Sequence, residues 1–180
     1  MRRRVLAAAV TVAVAVAVVN AQKTTTVHPG KGGSPHVRTE WTIDGANISI
    51  EYGRPFLKDP KTGRIRTDGE LMPPGRVWRT GADEATTLKT DKMLMFGGTH
   101  LAPGTYTLWT LPGEKEWMLI INKQTGQWGT EYNEAQDLAR VDMTSRTLSA
   151  PVDQFTIKIE GGKLILAWEL TELSVPITKG

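Results

Sequence analysis

The segment RVWRTGADEATTL, residues 76–88, sets Arg76, Arg79, Asp83 and Glu84 within nine residues, with Trp78 directly before Arg79. A guanidinium is a planar fork of donors that grips carboxylates or other anions and stacks on rings, so this composition suits a site for something planar or anionic. Arg54, Arg64 and Arg66 precede it in the same long stretch, and Asp137 lies downstream. The candidate binding set is therefore Arg54, Arg64, Trp78, Arg79, Asp83, Glu84 and Asp137. A structural reading competes with it. The arginines could pair with Asp83, Glu84 or Asp137 and pin a long loop to the fold, and ion-pair networks are the commoner cause of such clusters.

Carboxylates also suit acid-base hydrolysis, where two of them roughly 5 to 10 Å apart would serve a glycosidase. Asp83, Glu84, Glu131 and Asp137 are available, but their spacing selects no pair, so no catalytic residue is assigned. No Gly-x-Ser-x-Gly elbow, cysteine nucleophile or His-Glu-x-x-His helix occurs. Asp59 and Glu70 stand at the first and twelfth positions of a possible calcium loop, yet Lys61 and Arg64 occupy places where that loop needs an oxygen ligand and a glycine. The three histidines, His28, His36 and His100, are scattered, and two lie in or beside a polar lead-in. The sequence therefore predicts neither a metal site nor a cofactor. Of six tryptophans, only Trp78 and Trp128 sit in Gly-rich loop contexts rather than at strand positions.

These residues need a scaffold, and the chain supplies short strands. ANISIEY and GTYTLWTL alternate, EWMLIIN is a nearly continuous apolar run, and QFTIKIE and KLILAWEL flank Gly161-Gly162, a two-residue hairpin signal. ELSVPI is a last extended piece, and NEAQDLAR, residues 133–140, is the one helix-like stretch. Close-spaced strands without long helices predict an all-β fold, an antiparallel β-sandwich or barrel-like domain with one long loop and at most one short helix. The long loop runs from Tyr52 to Glu84, a length that compact domains keep only when it has structure or function of its own.

The first 21 residues carry three arginines, an apolar run and a small-residue end at Val19-Asn20-Ala21. This reads as a secretory signal peptide over residues 1–21, because the Ala/Val-rich run and its end fit cleavage better than a spanning anchor. Residues 22–35 then read as a flexible lead-in and 36–180 as a single β-sandwich domain. Without Arg2, Arg3 and Arg4 the 22 basic residues fall to 19, matching 19 acidic ones. The mature chain is formally neutral, which gives no reason to expect nucleic acid as a partner. It also lacks cysteine, so neither lipid attachment nor disulfides are expected, and no stable membrane anchor remains after cleavage. The expected location is periplasmic or extracellular.

YGRP, GELMPPGRVWRTGADEATTL, LAPGTYTLWTLPGEKEWMLIIN and QWGTEYNEAQDLARV together resemble the bacterial family named domain of unknown function 2911, over about Ser34 to Ile177. The resemblance implies export and one β-rich domain, and supplies no catalytic residues. Members of that family read Asn where this chain has Asp83, which implies an oxygen acceptor or turn former there. The tip Asp59 to Thr62 is longer than the family's short turn, so it is expected to be exposed.

The leading expectation is a non-catalytic module binding a small molecule or glycan. The alternative is a cell-envelope hydrolase using carboxylates near Asp83, Glu84 and Asp137. A purely structural envelope protein, whose long loop meets another chain, is the third reading.

Overall fold

The computed structural model describes residues 22–113 and 116–180, so the signal peptide expected over 1–21 lies outside it. Ten strands follow in order: β1 (Lys23–His28), β2 (His36–Ile43), β3 (Ala46–Gly53), β4 (Thr87–Thr90), β5 (Leu94–Phe96), β6 (Thr99–Leu101), β7 (Gly104–Leu111), β8 (Trp117–Asn122), β9 (Asp137–Glu160) and β10 (Lys163–Lys179). They form one antiparallel sheet in the order β1-β2-β3-β4-β7-β8-β9-β10-β5-β6, which does not close into a barrel. Among the described residues, helix is confined to a four-residue turn, α1 (Asp68–Leu71), and a 3-10 turn at Glu134–Gln136. No helix of the described residues is long and apolar enough to cross a membrane.

The sheet doubles over on its two longest strands, giving a sandwich-like arrangement. The first part of β9, residues 137–143, pairs with β8, and the part from 144 onward pairs with β10. Val141 and Met143 are buried at one end of β9 and Phe155, Ile157 and Ile159 at the other, with no buried residue between. The alternation of apolar residues thus marks two core-facing stretches joined by an exposed middle. The open side of the second stretch is capped by the chain leaving β3. The Tyr52 hydroxyl accepts from Ile157 N at 2.9 Å and approaches Ile157 O at 3.3 Å, while Phe155 N donates to Pro55 O and Leu57 N to Asp153 O. Strand groups that would otherwise lie unpaired at that edge are satisfied there.

One large core cluster fills the space between the layers, with Trp41, Ile50, Tyr52, Leu88, Phe96, Leu108, Ile121, Phe155, Leu166 and Trp168 among its members. A satellite of Ala85, Trp109 and Ile120 lies on the opposite face of β7 and β8. That explains the unbroken apolar run of β8: Leu119 and Ile121 face the main core while Ile120 lies beneath Ala85. The predicted hairpin is present, with Glu160 paired to Lys163 and both Gly161 (φ 56°) and Gly162 (φ 70°) left-handed.

Two expectations are corrected. The lead-in of residues 22–35 is not without structure, because Lys23–His28 pairs with β2 from Lys23↔Glu40 to His28↔His36. Its threonines and valine fit an exposed edge strand, and a polar surface strand carries no hydrophobic period to read. The helix-like NEAQDLAR yields only the 3-10 turn capped by Asn133, after which Asp137 begins β9. Pairing with β8 there outweighs a weak local helix propensity.

Candidate functional site

The charged segment is held by its backbone and its threonines. The Thr86 hydroxyl donates to Thr80 O at 2.7 Å, clasping residues 80–86 into a loop. Thr80 is fully buried at φ 53°, and its own hydroxyl lies 3.3 Å from Trp78 O. A β-branched residue at positive φ is a true outlier, a conformation that persists only when its surroundings over-determine it and that gathers at functional sites. Asp83 follows at φ 58°, a region that Asp and Asn tolerate better than other side chains. This geometry matches a turn-forming role. Residues 83–85 then run beside 127–129, with Gly129 N donating to Asp83 O at 2.9 Å and Ala85 N to Gln127 O at 3.2 Å. Glu84 is presented at the centre of that small ladder, opposite Trp128.

A second element comes in from the N-terminus. The loop PGKGGSP joins His28 to His36, which are direct partners across β1 and β2. Lys31 N donates to Asp83 Oδ2 at 3.0 Å, and the Lys31 ammonium stands 4.8 Å from the centre of the Trp128 ring. Gly53 permits the approach: a Cβ there would fall 2.3 Å from Ala82 O and 2.7 Å from His36 Nε2.

Where the two elements cross, His28 and His36 stack with ring centres 4.3 Å apart and planes 16° apart. Glu84 Oε2 lies 3.2 Å from His36 Nε2 and 3.7 Å from His28 Nε2, while Asp83 Oδ2 is 3.8 Å from His36 Nε2. The His36 side chain is 2% exposed, against 44% for Glu84. Despite their proximity, His36 Nε2 and Glu84 Oε2 are both buried atoms without a hydrogen-bond partner. Buried polar atoms are nearly always satisfied, and this pair faces each other at ion-pair distance without hydrogen-bond geometry. Burial pushes the His36 imidazole below its ordinary pKa; Glu84, Asp83 and a backbone hydrogen bond with Ala82 pull it up, and His28 adds to the lowering.

The sequence-derived candidates do not form one face. Asp83 and Glu84 are at the crossing. Arg54 donates to Phe155 O at 3.0 Å and Thr156 Oγ1 at 2.8 Å, fastening the chain to β9. Arg64 pairs with Glu70 at 2.9 Å on the loop whose tip is expected to be exposed over Asp59 to Thr62; residues 60–62 are exposed and Asp59 is half-buried. Trp78 stacks on Trp168 and meets Phe155 edge-on, as part of the core rim. Asp137 belongs to a separate network, where its Oδ2 accepts from Tyr132 at 2.7 Å and from Arg140 at 2.9 Å, and its Oδ1 accepts from Asn122 at 2.8 Å. Burial and that carboxylate push the Tyr132 hydroxyl up to about 12.

Arg79 is the clearest correction. Among the described residues no carboxylate pairs with it, and its stem instead lies against Gly129, where a Cβ would fall 2.6 Å from Arg79 Cδ. The expectation of scattered histidines fails as well. Sequence separation hid a cross-strand pair, although VH and HV flanking a Gly/Pro-rich loop is a hairpin pattern that could have revealed it.

A family model described as Protein of unknown function (DUF2911) matches residues 34–177. No curated protein and no solved structure matches the chain.

Proposed function

We propose, for a chain that belongs to the DUF2911 family, an exported, non-catalytic binding module whose site is the crossing of residues 28–36 with residues 79–86. One observation carries this reading: His36 Nε2 and Glu84 Oε2 are buried, unsatisfied and 3.2 Å apart. Glu84 sits on a loop held in a strained conformation at Thr80, and His36 opens β2.

A carboxylate hydrolase fits less well. It needs a second carboxyl group free to exchange a proton with substrate or water. Asp137 is engaged by Tyr132, Arg140 and Asn122, and Asp83 is bound to Lys31 N. Open depressions of about 640 and 740 Å³ lie elsewhere, one over Lys23, Glu40, Asn47 and Asp91 and one over Pro74, Leu111, Pro112 and Met118. Neither is lined by Asp83, Glu84 or Asp137.

The test is a panel of chromogenic glycosides and esters given to the mature chain and to its Glu84→Gln and Asp137→Asn variants. No turnover above that of the variants is expected, and turnover that either substitution removes would put the hydrolase first. Mass spectrometry of the exported protein checks the address, with an N-terminus at Gln22 expected and a retained leader in the membrane fraction counting against it.

A further inference from the structure

We propose that His28, His36 and Glu84 bind a divalent transition-metal ion. The inference rests on reading the crossing as a binding site and names the class of ligand. One nitrogen or oxygen from each of these three residues lies within 4.8 Å of the others. Around a tetrahedral ion with bonds of about 2.0 to 2.1 Å, ligand atoms stand about 3.3 Å apart. The 3.2 Å and 3.7 Å from Glu84 Oε2 to the two Nε2 atoms are already near that spacing.

Three further features point to a cation. The His36 side chain is 2% exposed, faces the cluster, and leaves its Nε2 without a partner. Asp83 and Glu84 are adjacent carboxylates whose only ion-pairing neighbours among the described residues are the two histidines, with no lysine or arginine balancing them. Asp83 Oδ2, 3.8 Å from His36 Nε2, stands where it can add charge or a further ligand. Imidazole with carboxylate suits zinc, copper, iron or nickel rather than magnesium or calcium, which prefer all-oxygen sites.

Loading requires one local change. His28 Nδ1 now accepts from Gly30 N at 3.1 Å, which places the proton of the neutral ring on Nε2. A ring that coordinates through Nε2 carries that proton on Nδ1 instead. The Gly30 bond must therefore open and the stack on His36 must loosen. Because the His28 side chain is 36% exposed, at the end of β1 beside a loop with left-handed glycines at Gly30 and Gly33, it is the ligand able to move.

The experiment uses the untagged mature chain, freed of metal by chelation and titrated with zinc by calorimetry, with cobalt absorption reporting coordination. One equivalent of zinc is expected. His28→Ala and Glu84→Gln should each weaken it at least about tenfold, and His100→Ala, at an exposed histidine on β6, should not. His36→Ala removes a buried side chain and can fail to fold, so the two accessible ligands carry the test. Zinc should also shift the Gly30 amide resonance. Absence of zinc binding, or binding that His28→Ala and Glu84→Gln leave intact, overturns the inference. If zinc fails and no hydrolysis is seen, the metal assignment alone falls; hydrolysis sensitive to Glu84→Gln overturns the binding-module reading instead.

Discussion

The β9–β10 hairpin and the crossing at Gly53 both depend on glycine, for opposite reasons. At Gly161 and Gly162 the backbone is left-handed and no atom lies within 4 Å of where a Cβ would be built. At Gly53 the φ is not left-handed, yet a Cβ would fall 2.3 Å from Ala82 O. The hairpin obeys a rule that acts over two residues. The crossing obeys one that acts between segments far apart in sequence. Turn chemistry is therefore visible in a string of letters, whereas close approach exists only after folding.

The largest expected effect tests the crossing. Gly53→Ala should cost about 3 kcal/mol, because the new methyl meets a backbone oxygen and a buried ring, neither of which can swing aside. Denaturant melts measure it, and the same variant should lose zinc binding as Ala82 and its neighbours shift. A variant as stable as its parent would show that the 79–86 loop is free to retreat.

Next comes the hairpin, where Gly161→Val with Gly162→Val should cost about 2 kcal/mol or more through unfavourable backbone angles. The loss is smaller than at Gly53 because an exposed turn can rearrange into solvent. The two classes of glycine also separate under substitution by Asn, which tolerates positive φ. Asn should be mild at residues 161 and 162 and severe at Gly53.

What was legible follows the same division. Alternation in GTYTLWTL and the Gly-Gly signal gave β7 and the β9–β10 turn, since both are set by near neighbours. The family resemblance implied an oxygen acceptor or turn former at Asp83, and both its φ of 58° and its bond from Lys31 N agree. The stacked histidines left only the weak VH and HV hairpin signal, because their pairing depends on β1 adding to β2 through a strand without a hydrophobic face. The fate of the arginines was not legible. Composition shows that Arg54 and Arg79 share a charged region, but not that one reaches β9 while the other lies over Gly129.

A smaller loss is expected where β3 meets β9. Tyr52→Phe leaves Ile157 N without its 2.9 Å acceptor in a buried setting, which should cost about 1.5 kcal/mol. Burial raises the Tyr52 hydroxyl above its ordinary pKa, so the wild-type contact should hold through neutral and mildly alkaline pH. Melts of both proteins at pH 7 and pH 9 should show the same difference. A gap that widens at the higher pH would mean that the folded-state phenol ionises before the unfolded one and is not enclosed.

The smallest effect is the most informative about Arg79. An arginine paired with a buried carboxylate cannot be replaced cheaply, because the carboxylate it leaves behind would be unpaired in a dry place, and Arg79→Met would then cost roughly 3 kcal/mol. No such carboxylate faces Arg79 among the described residues, and its stem is spread over Gly129. Methionine keeps most of that stem and drops only the guanidinium. The expected change is therefore within about 0.5 kcal/mol. Arg79→Ala should cost more than Arg79→Met, since it uncovers Gly129, and the gap between them measures packing without charge. A loss of several kcal/mol in Arg79→Met with Arg79→Ala no worse would instead make the guanidinium the anchor. The segment would then be held by the ion pairing that its composition first suggested, rather than by the Thr80–Thr86 clasp and the 83–85 ladder.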